Sequence, residues 1–202
     1  MDGEQSESKQ TLYNVCTYFQ DNSFQKNREI AKKSSLGYAV MIVNLNGIIN
    51  IGTIIRTSVV MGASKVFMVG KRHWDRRMSV GTHHYIDIDR FNGYLENLDL
   101  KQELSNYSPI CIEQGGECLD DVNWSPYIRG DNKPPCFIMG AEDVGLSRDF
   151  INECRTFPGY RCISIPQHGI ARSLNVATAH SIILYHYTAQ VRVQIKNKYS
   201  ID

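Results

Sequence analysis

The feature that most constrains this chain is a series of short, unbroken apolar runs. Tyr38-Ala39-Val40-Met41-Ile42-Val43 is the first, and Lys65-Val66-Phe67-Met68-Val69-Gly70 follows. Pro109-Ile110-Cys111-Ile112, Cys136-Phe137-Ile138-Met139 and Arg161-Cys162-Ile163-Ser164-Ile165 complete the set. Runs of this length without polar alternation read as strands covered on both faces. The segments between them change period. Ile51, Ile54, Ile55 and Val59 recur at helical spacing, so Asn50 to Gly62 is expected to be a helix with Gly62 as its stop. Residues 71–88 read as a polar, basic loop. Residues 89–106, with Leu95, Leu98 and Leu104, read as a helix, and 114–135 as loop with room for one short helix. Ser147 is placed to cap a helix whose first turn holds Asp149. A long helix is expected from Ser173 onward. Buried strands alternating with helices define an α/β class: a mostly parallel sheet flanked by helices. Ahead of it, residues 1–10 read as a polar tail. Residues 11–33, with Leu12, Val15 and Phe19 at helical spacing, read as one amphipathic helix.

Hydrophobic residues make up 42% of the 202-residue chain and charged residues 21%, enough apolar surface for a substantial core. No apolar run approaches the roughly 20 residues a membrane span needs. The polar, acidic start, Met1 to Ser8, is unlike a signal peptide, so the cytosol is the expected compartment, with a nucleus or organelle left open. The six cysteines form no C-x-x-C pair and read as reduced, structural thiols. His83 and His84 are adjacent and diverge in an extended segment, a poor metal pair, so no metal is expected. The net charge of +1 means that any nucleic-acid binding must use local charge. Two such clusters exist, Lys26 through Lys33 and Lys71 through Arg77. In the second, Lys71, Arg72, Arg76 and Arg77 are candidate RNA contacts, with Trp74 either stacking on a base or serving the core.

Three segments at strand ends carry the candidate chemistry. The first runs from Asn46 to Thr57 and enters the first helix after its strand. Its Arg56 lies about 120° off the apolar stripe, free to meet a polar partner. The second, Met139-Gly140-Ala141-Glu142-Asp143-Val144-Gly145-Leu146-Ser147, follows the fourth run directly. Its glycine spacing matches neither a P-loop nor G-x-G-x-x-G. The third, Ile165-Pro166-Gln167-His168-Gly169-Ile170-Ala171-Arg172-Ser173-Leu174-Asn175, opens the last helix. Taken alone, Ser173 is equally readable as a helix cap. In parallel sheets, ligands gather at the carboxyl ends of strands, which is where all three lie.

In this order, the three segments resemble the motifs of the SpoU (TrmH) class of SPOUT RNA methyltransferases, over about residues 38–190. The resemblance implies a deep trefoil knot formed by roughly residues 136–187, a homodimer with sites at the subunit interface, and S-adenosylmethionine as cofactor. It divides the chain into an N-terminal tail and short helix, 1–35, and a methyltransferase domain, 36–202. It implies catalytic roles for Arg56, Asn50, Glu142, Ser173 and Asn175. It implies cofactor contacts at Glu113, Gly140, Ile165, Gln167 and Leu174. The second motif departs from the family's common Gly-Asn-Glu by carrying Ala141. The implied reaction is methylation of an RNA ribose 2′-hydroxyl, with tRNA ahead of ribosomal RNA as substrate. The alternative is a non-catalytic RNA-binding or assembly protein that retains the fold.

Overall fold

The computed structural model describes residues 14–44, 46–70, 73–91 and 99–199, and of 195–199 the backbone only. A six-stranded, all-parallel sheet has the order β3-β2-β1-β5-β4-β6. Its strands are β1 (Ala39–Val43), β2 (Lys65–Val69), β3 (Asp87–Phe91), β4 (Ser108–Cys118), β5 (Pro135–Met139) and β6 (Arg161–Ser164). The helices are α1 (Phe24–Lys33), α2 (Ile48–Val60), α3 (Leu100–Glu103), α4 (Ser125–Arg129), α5 (Arg148–Cys154) and α6 (Val176–Tyr199). No helix among the described residues is long and apolar enough to cross a membrane.

The period-2 geometry of β1 sorts its side chains onto two cores. Val40 and Ile42 join α2, α6 and Trp124 on one face, where Ile54, Ile55, Ile183 and Leu184 are fully buried. Ala39, Met41 and Val43 join Leu100, Leu104, Phe150 and Cys154 on the other. On the first face, Tyr38, Trp124, Phe137 and Tyr187 meet edge-on, with ring centroids 5.3–5.7 Å apart. Such pairs add to the area they bury. The central strands β1 and β5 therefore read as continuous apolar runs because both faces are covered.

Five expectations are corrected. The N-terminal segment is not one helix: a 3-10 turn at Thr17–Phe19 precedes α1, whose start is capped by the Ser23 hydroxyl accepting from Lys26 N. A sixth strand, β3, occupies residues read as loop and helix. It is an edge strand, and its acidic residues are satisfied laterally, Asp89 by Lys65 at 2.8 Å and Asp87 by Arg28 at 3.2 Å. Charge on an edge strand weakens the apolar signal and blunts unwanted pairing. Part of the helix expected at 89–106 falls on 92–98, outside the described residues, and α3 is a single turn. β4 runs on to Cys118 through a bulge, so that both Ile112 and Glu117 face Ile163. Gly116 permits this: a Cβ there would stand 2.7 Å from the Cys162 carbonyl. Finally, α6 begins at Val176, not Ser173. Asn175 is its cap, its Oδ1 accepting from Ala177 N at 2.9 Å and Thr178 N at 3.2 Å.

Candidate active site

The carboxyl ends of β5 and β6 and the bulge of β4 surround one cavity of about 190 Å³. Its walls include Glu113, Gly140, Ile165, Gln167 and Leu174, the five positions expected to contact a cofactor, together with Glu142 and Ser173. At two of its positions the wall must be glycine, for a steric reason. A Cβ at Gly140 would stand 2.6 Å from the Gly145 carbonyl carbon, and Gly145 holds φ +67 against the Glu113 carboxylate. The β5–α5 loop thus folds back on itself, with no room for a side chain at Gly140 or Gly145. The β4 bulge turns Glu113 toward this loop, where its Oε1 accepts from Leu146 N. Gln114, next along, donates to the Arg172 carbonyl at 2.7 Å and ties the bulge to the β6–α6 loop.

At the mouth, three chain segments far apart in sequence are joined by side chains. Asn50 Nδ2, in the first turn of α2, donates to Glu142 Oε1 at 2.8 Å. Asn175 Nδ2 donates to Asn50 Oδ1 at 3.1 Å. The orientation is forced. Asn175 commits its Oδ1 to capping α6, which leaves its amide nitrogen for Asn50, and Asn50 is left with its own nitrogen for the carboxylate. Asn46 N also approaches Glu142 Oε2, at 3.4 Å. Gly47 makes the convergence possible, since a Cβ there would lie 2.7 Å from Glu142 Oε1 and 2.8 Å from Asn50 Nδ2.

Arg56 is placed apart from this network. It is exposed on α2, six residues beyond Asn50, and therefore about 120° around the helix. It makes no hydrogen bond or ion pair among the described residues and does not line the cavity. Ser173 lines the cavity as an exposed loop residue rather than a helix cap.

The basic loop is partly as expected. Arg76 and Arg77 are exposed, and Arg77 forks onto Asp75 with NH2 at 2.7 Å and Nε at 2.9 Å. Lys71 and Arg72 lie outside the described residues. Trp74 requires correction as a stacking platform: it is only 8% exposed and packs in the core beside α2. Among the described residues there is no cluster of three or more metal-ligating side chains.

Against known proteins, residues 37–185 match the SpoU rRNA Methylase family. The chain is 28% identical over 147 residues, 70% of its length, to the mouse (Mus musculus) tRNA (guanosine(18)-2′-O)-methyltransferase TARBP1, of which it spans only 9%. Among solved structures, it resembles the AdoMet-bound rRNA methyltransferase from Sinorhizobium meliloti at 27% identity and a TM-score of 0.62. That match covers 82% of this chain and 60% of the other. The A. aeolicus TrmH/SpoU tRNA modifying enzyme shares the fold, with a TM-score of 0.66 at 22% identity over 84% of this chain and 83% of the other. The family match spans most of the chain and contains every element around the cavity: the chain belongs to the SpoU rRNA Methylase family.

Proposed function

We propose that this protein transfers a methyl group from S-adenosylmethionine to a ribose 2′-hydroxyl of RNA, with tRNA as substrate. One observation carries the reading: the Glu142–Asn50–Asn175 chain joins all three motif segments beside a cavity that Glu142 itself lines. When bound, S-adenosylmethionine supplies a methyl already activated on a positively charged sulfonium. The cavity suits such a ligand. Glu113, Glu142 and Asp143 line it against a single guanidinium, Arg172, giving an excess of negative charge for a cationic donor. Met139, Ile165 and Leu174 offer apolar contact for a flat heterocycle, and backbone groups offer it hydrogen bonds.

The chain's own task is then to align an oxygen and help it lose a proton. Positioning two reactants can supply several orders of magnitude in rate. Glu142, Asn50 and Asn175 fix the entrance geometry, and the exposed Ser173 hydroxyl stands at the cavity wall to meet the ribose. The role of the Arg56 guanidinium is to hold a phosphate and stabilise the developing oxyanion, with the proton passing to that phosphate or to water. Because Arg56 points away from the Asn50 network, it serves the cavity of a second copy in a homodimer. Exposed apolar residues beside it on the paired helices support that arrangement: Ile49 (54% exposed) and Val60 (68%) on α2, and Tyr185 (61%) on α6. The threading of residues 136–187 into a knot belongs to the same reading and is supported by the family match and by the position of β6 beside β4. The ribose target and the choice of tRNA are supported by the 2′-O-methylation of a tRNA guanosine for which the mouse relative is named.

The test is calorimetry with S-adenosylmethionine, followed by mapping of methylated riboses in tRNA treated with the protein. Binding without ribose methylation on any RNA sinks the catalytic reading. Absence of binding sinks the cofactor assignment. Arg56→Lys is expected to lose most activity while still binding cofactor; near-full activity removes the bidentate phosphate role.

A further inference from the structure

A second charged cluster lies away from the cavity, between β2 and β3. Its centre is the buried Trp74. Two guanidiniums pack on the indole, Arg76 at 5.8 Å and Arg90 at 4.7 Å from the ring centroid. His83 meets the same indole edge-on at 5.9 Å, and its Nδ1 pairs with Ser79 Oγ at 2.7 Å. The nearby acids already have partners: Asp75 with Arg77, Asp89 with Lys65 and Asp87 with Arg28. Arg76 and Arg90 are exposed, and neither has an ion-pair partner among the described residues. Burial pushes the His83 imidazole down to about 4, helped by His84, Arg76 and Arg90. That neighbour therefore stays neutral and leaves the two guanidiniums as the local charge.

We propose that Arg76 and Arg90, presented by Trp74, form a site for one backbone phosphate of the bound RNA. The inference rests on the RNA-methylation reading and adds to it a residue, Arg90, and a role for Trp74 as scaffold. A guanidinium lying over an aromatic face keeps its N–H edge free, and that planar edge matches phosphate oxygens in pairs. Holding both side chains before binding lowers the entropy cost of fixing them. The site is also fixed relative to the cavity. Asp75 N donates to the Ile48 carbonyl at 3.2 Å, and Gly52 admits the loop so closely that a Cβ there would stand 2.7 Å from the Asp75 oxygen. The loop is thereby seated on α2, the helix that carries Asn50 and Arg56, and an RNA strand held at the loop is held in register with that helix.

The test measures binding of unfractionated tRNA across a salt series, beside calorimetry with S-adenosylmethionine. Arg90→Gln is expected to weaken tRNA several-fold and to reduce the slope of log K against log salt by about one, the value for one lost phosphate contact. Cofactor binding and melting temperature are expected to stay as in the parent. Arg76→Gln should do the same, and the double variant should lose no more slope than either single one, because both side chains serve one phosphate. Arg90→Lys should keep the slope and bind more weakly, since it keeps the charge and loses the planar fork. Parent-like affinity and slope in Arg90→Gln overturns the site. A loss of about two in the double variant overturns the shared phosphate. A parent protein that binds tRNA through Arg90 but takes no cofactor overturns the methyl-transfer reading and leaves this site standing.

Discussion

Helices α2 and α6 meet through polar side chains at two places, and the two are built oppositely. At the cavity mouth, Asn50 and Asn175 touch in an exposed contact whose amides end on the Glu142 carboxylate. Further along, Ser58 and His180 meet at 3.1 Å with both residues fully buried. Ser58 Oγ already donates to the Ile54 carbonyl at 2.8 Å, so the imidazole Nε2–H is the donor to that hydroxyl. His180 Nδ1 is then a bare acceptor, buried and without a partner among the described residues. An exposed amide contact competes with water and adds little stability, whereas breaking a buried one costs the desolvation of whatever is left unpaired. The inner pair thus locks the helices together, and the outer pair sets the shape of the entrance.

Four experiments bear on that division, taken from the largest expected effect downward. His180→Ala should lower stability by about 3 kcal/mol in chemical denaturation, through a cavity and an unpaired Ser58. A loss below 1 kcal/mol removes the inner pair's structural role. Asn50→Ala should leave the unfolding midpoint nearly unchanged and cut methylation roughly 100-fold, the scale of a misplaced reacting group. If stability and activity fall together, the outer pair is structural as well. The third experiment concerns acid. Burial lowers His180 to about 3, below its unfolded value of roughly 6.5. The stability it contributes is complete above the unfolded value and is lost as pH falls toward the folded one, because only the unfolded chain takes up the proton readily. His83, lowered to about 4, acts in the same direction. Stability should therefore decline from about pH 6.5 to 3, and His180→Gln should make that decline shallower. An unchanged slope in the variant counts against a buried neutral imidazole. Smallest is Asn175→Asp, which keeps the acceptor that caps α6 and loses the donor to Asn50. Its stability should stay within about 1 kcal/mol of the parent, the usual worth of a helix cap, while activity drops.

These contrasts also explain what could be read in advance. β1, β2 and β5 were legible because each is covered on both faces and carries no competing signal. β3 was hidden because its carboxylates are satisfied by Lys65 and Arg28 from neighbouring elements, which local sequence does not reveal. The bulged half of β4 was hidden because glycines that read as a turn are there to let backbone pass backbone. In the site, the motif residues Asn50, Glu142 and Asn175 were found by resemblance, but their mutual bonding was not. Gly47 carried no signal of its own; its need appears only once Glu142 is brought against Asn50. Ser173 looked like the helix cap because hydroxyl and amide caps are interchangeable in sequence and only the geometry distinguishes them. Trp74 was readable both as a stacking aromatic and as a core residue, because its basic flank is exposed while its ring is not. The Ser58–His180 pair was not foreseen, since residues that far apart have no shared local pattern.

The order of the strands has a consequence for biosynthesis. β5, supplied by residues 135–139, is the strand that seats between β1 and β4. A ribosome that has released the chain only as far as residue 134 has made β1, β2, β3 and β4 but no segment to bridge the first three to the last. The nascent chain then holds two unjoined apolar edges, so a stalled intermediate of that length should depend on chaperones far more than the finished polypeptide.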